Sequence, residues 1–323
     1  MKNKSLLNFG WLVLLAFGLT TQTSNAVILF GSGDPTYNTT APTGTLQDSG
    51  WQYEGQWGGF LGTPVAPQYF VAAQHIGGSV GQTFVFNGTN YTTTAYWDDT
   101  STDLRIWKVD GVFPSYAPLY STSDEVGKNL VVIGRGTQRG DPVEIEEAQT
   151  VYTTNVVNLK DLDISRKDAQ QQFPDAALHG QTMTFVTSEL VTNIVLKGWQ
   201  DGPGDGVMRW GQNQVLAVGG LIVAAFTGTN GPNEGYLSGG DSSGAVFIQD
   251  SKGVWKLAGI NYGIDGPFAT SPDEPAFDGA IFDESGLYAG GALVPNDGIA
   301  RPAYYYATRI SPRLSWIQSI ISQ

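Results

Sequence analysis

An all-β fold is predicted by three features of the chain. Glycine occupies 42 of 323 positions, well above its usual share, which calls for many turns and close backbone approaches. Only 15% of the residues are charged, few for a set of solvated helices. Short runs rich in β-branched and aromatic residues recur between turn signals, without amphipathic helices between them. This pattern predicts sandwiches or barrels, and a hydrophobic content of 41% is enough to fill their cores.

The elements follow in chain order. Lys2 and Lys4, an apolar run at 6–19, a polar stretch and Ala26 have the layout of a secretory signal peptide, with Ser24 and Ala26 as the small residues before the cut. The run is short for a membrane span. Cleavage after Ala26 would make Val27 the amino terminus and change the net charge from −13 to −15. The mature protein is then expected to be secreted or periplasmic and without a membrane partner, and a Cys-free chain in that oxidising compartment suggests a bacterial product.

Tyr69–Ala73 is the first clear strand. Thr83–Phe86 and residues 91–97 flank Asn87-Gly88, the strongest short-range hairpin signal. Leu104–Val109 and residues 130–134, 183–187, 190–196, 215–218, 221–226, 245–248 and 254–260 complete the strand candidates. Residues 160–180 are polar and read as an exposed excursion, whereas 265–301, rich in Gly, Pro and Asp, exceed an ordinary loop. Only the tail reads as a helix. Ser311 suits its cap, Pro312 its first position, and Ile310, Leu314, Ile317 and Ile321 share one face.

Composition also removes whole classes of chemistry. There is no Cys, so disulfide frameworks and thiolate catalysis are closed, and the only two His, His75 and His179, are too far apart for a zinc-binding helix. A net charge of −13 argues against a nucleic-acid partner, which needs a basic surface to displace counterions from phosphates. No metal or cofactor is called for, since the acidic run 201–206 lacks the full ligand pattern of a calcium loop.

The segment most loaded with chemistry is Ser238-Gly239-Gly240-Asp241-Ser242-Ser243-Gly244. A Ser flanked by glycines can sit on a sharp turn where backbone N–H groups converge, as an oxyanion hole requires, although an ordinary Gly/Ser loop would read the same way. Gly240-x-Ser242-x-Gly244 also fits the nucleophile elbow of α/β-hydrolases. Chain order decides against it, because those enzymes place the catalytic His after the Ser and no His follows residue 242.

The order His, Asp, Ser points elsewhere. Tyr69-Phe70-Val71-Ala72-Ala73-Gln74-His75 resembles the strand-Ala-Ala-His signature of the chymotrypsin/trypsin-like serine protease family. Asp103-Leu104-Arg105-Ile106-Trp107-Lys108-Val109 resembles its Asp opening an apolar strand, and Gly240-Asp241-Ser242-Ser243-Gly244 its Gly-Asp-Ser-Gly-Gly. The tail from Ala307-Thr308-Arg309-Ile310 to Ser315-Trp316-Ile317 is similar to its last strand and closing helix.

The resemblance implies two six-stranded antiparallel Greek-key barrels packed around a cleft, with a C-terminal α-helix. Residues 27–120 would form the first barrel, 121–310 the second with insertions near 160–180 and 265–301, and 311–323 the helix. It implies a secreted serine endopeptidase with Ser242 as nucleophile, His75 as base and Asp103 as the carboxylate that orients the base. The N–H groups of Gly240 and Ser242 would hold the oxyanion, and Asn261, Tyr262 and Gly263 would pair with an extended polypeptide substrate. Tyr236 falls at the base of the side-chain pocket, where a neutral aromatic disfavours Lys or Arg.

Elementary chemistry asks for the same parts. A Ser hydroxyl needs a base within hydrogen-bond reach, and His75 is the better of two imidazoles because His179 sits in a polar stretch. Asp98 and Asp99 remain alternatives to Asp103. Of three departures from the family pattern, Ile76 after the His only removes a staple, whereas Gln74 before it and Ser243, whose Cβ could disturb the turn or narrow the cleft, favour a second reading, a catalytically silent binding protein on the same fold. A lipase or esterase is a third. In the family an apolar amino terminus pairs with the Asp before the nucleophile, here Asp241. The Val27-Ile28-Leu29 start could supply it, and an internal Arg or Lys is the competing partner.

Overall fold

The computed structural model describes residues 27–158 and 182–322. The leader at 1–26 and the excursion at 160–180, His179 included, lie outside the described residues.

The chain enters through Ile28–Leu29 (β1) and then builds Gly55–Trp57 (β2), Phe60–Ala66 (β3), Tyr69–Ala73 (β4), Thr83–Phe86 (β5), Thr89–Asp98 (β6) and Leu104–Val109 (β7). Strands β2 to β7 close into an antiparallel barrel in the order β2-β3-β4-β7-β6-β5. Its interior is filled by rings, among them Trp57, Phe70, Phe84, Trp107 and Phe113. The Phe70 and Phe84 rings stack at 4.0 Å. Glycine makes room for them, since a Cβ on Gly55 would lie 2.2 Å from the Phe84 ring. The Asn87-Gly88 hairpin forms as the sequence predicts, with both residues at positive φ (47° and 74°) and Phe86 paired to Thr89.

The second half contains Asn129–Gly134 (β8), Thr137–Asn158 (β9), Thr182–Gly204 (β10), Arg209–Gln214 (β11), Ala217–Val218 (β12), Leu221–Ala225 (β13), Gly235–Tyr236 (β14), Ala245–Gln249 (β15) and Trp255–Ile264 (β16). Phe268–Ala269 (β17), Gly279–Ile281 (β18), Tyr288–Ala289 (β19), Ala292–Leu293 (β20) and Tyr304–Arg309 (β21) follow. Its main sheet runs β11-β8-β15-β16-β21-β13-β12. Leaving aside the added seventh strand β12, this is the cyclic order of the first barrel. The ends at β11 and β13 are held by a side chain instead of a ladder: Asn213 Nδ2 donates to Ala225 O at 2.9 Å and to Gly235 O at 3.2 Å. The fold is therefore mostly β, with two barrel-like sheets.

Several elements go beyond the sequence reading, β2, β3 and β11 among them. Residues 183–196, expected as two strands, belong to the single strand β10, and its partner β9 was not predicted. Much of this two-stranded ribbon is exposed, and only a short stretch at its base, where Val143 and Ile145 alternate with Glu144 and Glu146, has one face turned inward. The 265–301 stretch is not a plain loop, for β17, β19 and β20 form a small sheet there and β18 adds to the edge of β10 at Gly198, Trp199 and Gln200.

The C-terminal helix is Leu314–Ile321 (α1), preceded by a 3-10 turn at Ser311–Arg313. Ile310, Ile317 and Ile320 are buried, while Ile321 is only partly so. Ser311 caps no helical N–H; its hydroxyl donates to Glu125 Oε1 at 2.7 Å, beside the buried pair of Glu125 with Arg309. These isoleucines join one apolar cluster that draws Leu61, Val71 and Ile106 from the first barrel and Ile133, Phe247 and Leu257 from the second sheet. The cleft between the halves is thus floored by shared core. Among the described residues no helix is long and apolar enough to cross a membrane.

Candidate active site

Register brings the first two residues of the site together. Strands β4 and β7 pair with Ala73 opposite Leu104, which sets the residue before Leu104 beside the residues after Ala73. Gln74 N donates to Asp103 O at 3.0 Å, and His75 N donates to Asp103 Oδ1 at 2.8 Å. The other carboxylate oxygen, Oδ2, lies 2.5 Å from His75 Nδ1. The imidazole is thereby turned with Nε2 outward, 2.8 Å from Ser242 Oγ in the loop between β14 and β15. Asp103 is the more sheltered partner, with side-chain exposures of 13% for Asp103 and 40% for His75.

The competing carboxylates are engaged elsewhere. Asp98 takes Arg105 through two bonds of 2.5 and 2.8 Å, and Asp99 takes Ser101, Thr102 and Arg313.

The loop that carries Ser242 is built on a buried carboxylate. Asp241 Oδ1 accepts Gly136 N at 2.7 Å, and Oδ2 accepts Val27 N at 2.9 Å, Ser238 N at 2.8 Å and Ser238 Oγ at 2.9 Å. All four donors are neutral in the uncut chain, and no Arg or Lys reaches Asp241 among the described residues. Burial pushes its pKa up to about 7. Gly134 leaves space for it, since a Cβ there would lie 2.0 Å from Oδ1. The loop turns at Gly240, whose φ is 94°. The N–H groups of Gly240 and Ser242 have no protein acceptor among the described residues, which leaves both open to a ligand oxygen.

Ser243 answers the concern raised by its Cβ. It does sit at φ 70°, but its side chain is fully buried and its Oγ accepts Ala73 N at 2.9 Å, away from the cleft. Ser243 N donates to Asn261 O at 3.0 Å. Gln74, the other departure, hydrogen-bonds through its side chain to Asp98.

The remaining expected positions divide. Tyr262 is 44% exposed and meets His75 edge-on, ring centroids 6.0 Å apart at 82°. Gly263 pairs with Tyr306 of β21 on one side, and the pairing with β15 ends at Ile260 opposite Ala245, so beyond Asn261 the other edge of β16 is open at Tyr262 and Gly263. Asn261 differs from expectation because its backbone N and O are both consumed by Gly244 and Ser243, while its Nδ2 donates to Ile133 O and Asp241 O. It braces the Ser242 loop, and its backbone N and O are not free for a substrate strand. Tyr236 also differs. It is wholly buried among Phe226 and Tyr305, and its hydroxyl donates to Tyr304 O, so it lies beneath any pocket instead of lining one.

Sequence reasoning missed Asp201. Its Oδ2 accepts Gly239 N at 2.7 Å, anchoring the residue before Gly240, and burial lifts its pKa to about 6. Residues 201–206, considered for calcium, have other duties: Asp205 pairs with Arg209. No local signal could have tied Asp201 to Gly239, because the ribbon that carries it was not visible as a strand pair.

No family model matches the chain, and no curated protein matches it. Among solved structures the chain is similar to neuropsin, a serine protease expressed in the limbic system of mouse brain, at 10% identity. The likeness covers 84% of this chain and 95% of that one, with a TM-score of 0.44.

Proposed function

We propose that this protein is a secreted serine endopeptidase working through an acyl-enzyme, with Ser242 as nucleophile, His75 as general base and acid, and Asp103 as the group that orients His75. The observation that carries the reading is the unbroken relay from Asp103 Oδ2 to His75 Nδ1 at 2.5 Å and from His75 Nε2 to Ser242 Oγ at 2.8 Å. With the proton on Nδ1 donated to Asp103, Nε2 accepts from the Ser242 hydroxyl and takes its proton as Oγ attacks the scissile carbonyl carbon. The imidazolium then returns that proton to the leaving amine, and a water repeats the sequence on the ester.

The Gly240 and Ser242 N–H groups are assigned to the oxyanion, at about 3 to 4 kcal/mol of transition-state stabilisation per donor. The open edge at Tyr262 and Gly263 suits β-strand addition of an extended polypeptide. Cleavage after Ala26 accounts for the delivery of the protein and leaves Val27 beside Asp241.

A fluorophosphonate probe with casein as substrate tests the assignment. Labelling of Ser242 and casein cleavage, both lost in Ser242→Ala, are expected. Folded protein that takes no label at pH 8 is a binding protein, and one that takes label and turns over long-chain esters but not unfolded casein is an esterase; either outcome overturns the reading.

A further inference from the structure

A cavity of about 560 Å³ opens directly beside His75. Tyr262 and Leu221 supply its apolar wall, Ser101 and Thr102 its polar wall, and Arg313 closes it from the start of the C-terminal helix. The wall at Leu221 is fixed by the Gly219-Gly220 turn, whose carbonyls accept Arg309 Nη1 and Arg309 N, both at 3.3 Å.

Arg313 is the cation of this cavity, and the protein pairs it with Asp99 through Nε alone. Its Nε lies 3.3 Å from Asp99 Oδ2 without forming a hydrogen bond, and among the described residues the rest of the guanidinium has no acceptor. Asp99 does not depend on it: Ser101 N, Ser101 Oγ and Thr102 Oγ1 donate to that carboxylate at 2.9, 2.6 and 3.0 Å. The carboxylate that lines the cavity, Asp103, is taken up by His75. The guanidinium fork, with side-chain exposure of 26%, therefore faces the cavity with most of its donors unspent.

We propose that this cavity is a specificity subsite of the peptidase site and that Arg313 gives it a preference for an acidic side chain on the acyl side of the scissile bond. The inference rests on the endopeptidase reading. A polypeptide added along the open edge at Tyr262 and Gly263 carries the residues that precede the scissile bond past Tyr262, and the cavity lies between Tyr262 and His75. A carboxylate there meets a planar fork suited to bidentate pairing. Long-range charge works against it, because a chain of net charge −13 repels anionic peptides. Any preference for Asp must then come from local contact, and removing Arg313 should do more than abolish it.

The test compares kcat/KM for matched peptides carrying Asp, Asn or Lys at the second, third or fourth residue before the scissile bond, with wild type, Arg313→Gln and Arg313→Lys. At one of these positions wild type should favour Asp over Asn by about fivefold to tenfold. Arg313→Lys should keep part of that ratio, and Arg313→Gln should bring it to one or below; melting temperatures verify that each variant is folded. An equal ratio in wild type, or the same ratio in folded Arg313→Gln, overturns the subsite while fluorophosphonate labelling of Ser242 still upholds the peptidase. Absence of both labelling and cleavage overturns the endopeptidase reading, and the subsite with it.

Discussion

Two proteins differing only at the amino terminus, one beginning at Val27 and one retaining Ser24-Asn25-Ala26 ahead of it, should lose stability over different ranges of pH. In the longer chain Val27 N is a peptide N–H, and Asp241 is surrounded by neutral donors. Burial lifts the carboxyl from 3.8 to about 7. A carboxyl raised in the folded state favours the protonated form, so its contribution is most favourable below about pH 4 and is lost as pH climbs to 7. At 1.36 kcal/mol per pKa unit the loss is roughly 4 kcal/mol. In the shorter chain the same nitrogen is an ammonium 2.9 Å from Oδ2, so the carboxylate is matched by a charge and most of that loss disappears. The amine, raised above its free value near 8 by the same pairing, holds its stabilisation below that pH and gives it up only in alkali.

Strain acts in the same direction. Val27 has φ 36°, a conformation that costs a β-branched residue about 1 to 3 kcal/mol and that ceases to exist as a torsion once the Ala26–Val27 bond is cut. Thermal melting from pH 4 to 9 is the assay. The longer chain should fall behind the shorter by about 10 °C on going from pH 4 to 7, while the shorter weakens only above pH 8. Fluorophosphonate labelling at pH 7.5 should be faster in the shorter chain, since Asp241 lies between the two oxyanion donors. Coincident pH profiles, or a Val27 start whose profile is unchanged by acetylation, would refute the reasoning.

Two further outcomes follow from buried partners. Ser243→Ala leaves Ala73 N–H without an acceptor where water cannot reach, at a cost of about 1 to 3 kcal/mol in urea unfolding. Ser243→Gly loses the same bond but relieves φ 70°, so it should fall between Ala and wild type, and an Ala variant as stable as wild type would contradict the role given to that hydroxyl. Arg309→Met strands Glu125, which is wholly buried and accepts bonds of 2.8 and 2.6 Å from Arg309, and should cost about 3 to 5 kcal/mol. The double variant Arg309→Met with Glu125→Leu should recover most of it, and a double variant no better than the single would show that the loss is one of packing.

What could be read in the sequence was whatever a local rule governs. Asn87-Gly88 declared its hairpin, and the run Tyr69–Ala73 declared a strand buried along its whole length. Asp103 could be favoured over Asp98 and Asp99 because an apolar strand follows it, and the β4-β7 register is what turns that position into a partner for His75. Positions governed by tertiary closure were opaque. Whether Asn261 offers its backbone to a substrate depends on whether Ser243 and Gly244 fold back onto it, and Tyr236 is sealed by Phe226, just after β13, and by Tyr305 of β21. The β9-β10 ribbon hid because its inward face is short, with Val143 and Ile145 set among Asp141, Pro142, Glu144, Glu146 and Glu147, and the strand beyond is largely exposed.

The departures at residues 74 and 243 weigh differently once their bonds are known. A chain drifting away from catalysis would be expected to leave its substituted side chains in the cleft or unpartnered. Ser243 instead ties the end of the His75 strand to the Ser242 loop, and Gln74 supports Asp98, which in turn fixes Arg105 over the Trp107 ring. With no disulfide to lock the halves, the distance from His75 to Ser242 is set by the apolar cluster between them and by such bonds across the seam. A serine at 243 accepts an unfavourable φ in exchange for one of those bonds, at the one place where an error of an ångström would separate base from nucleophile. The substitution that looked most damaging to a peptidase is therefore better explained as a device for holding its two halves in catalytic register than as a relic of lost activity.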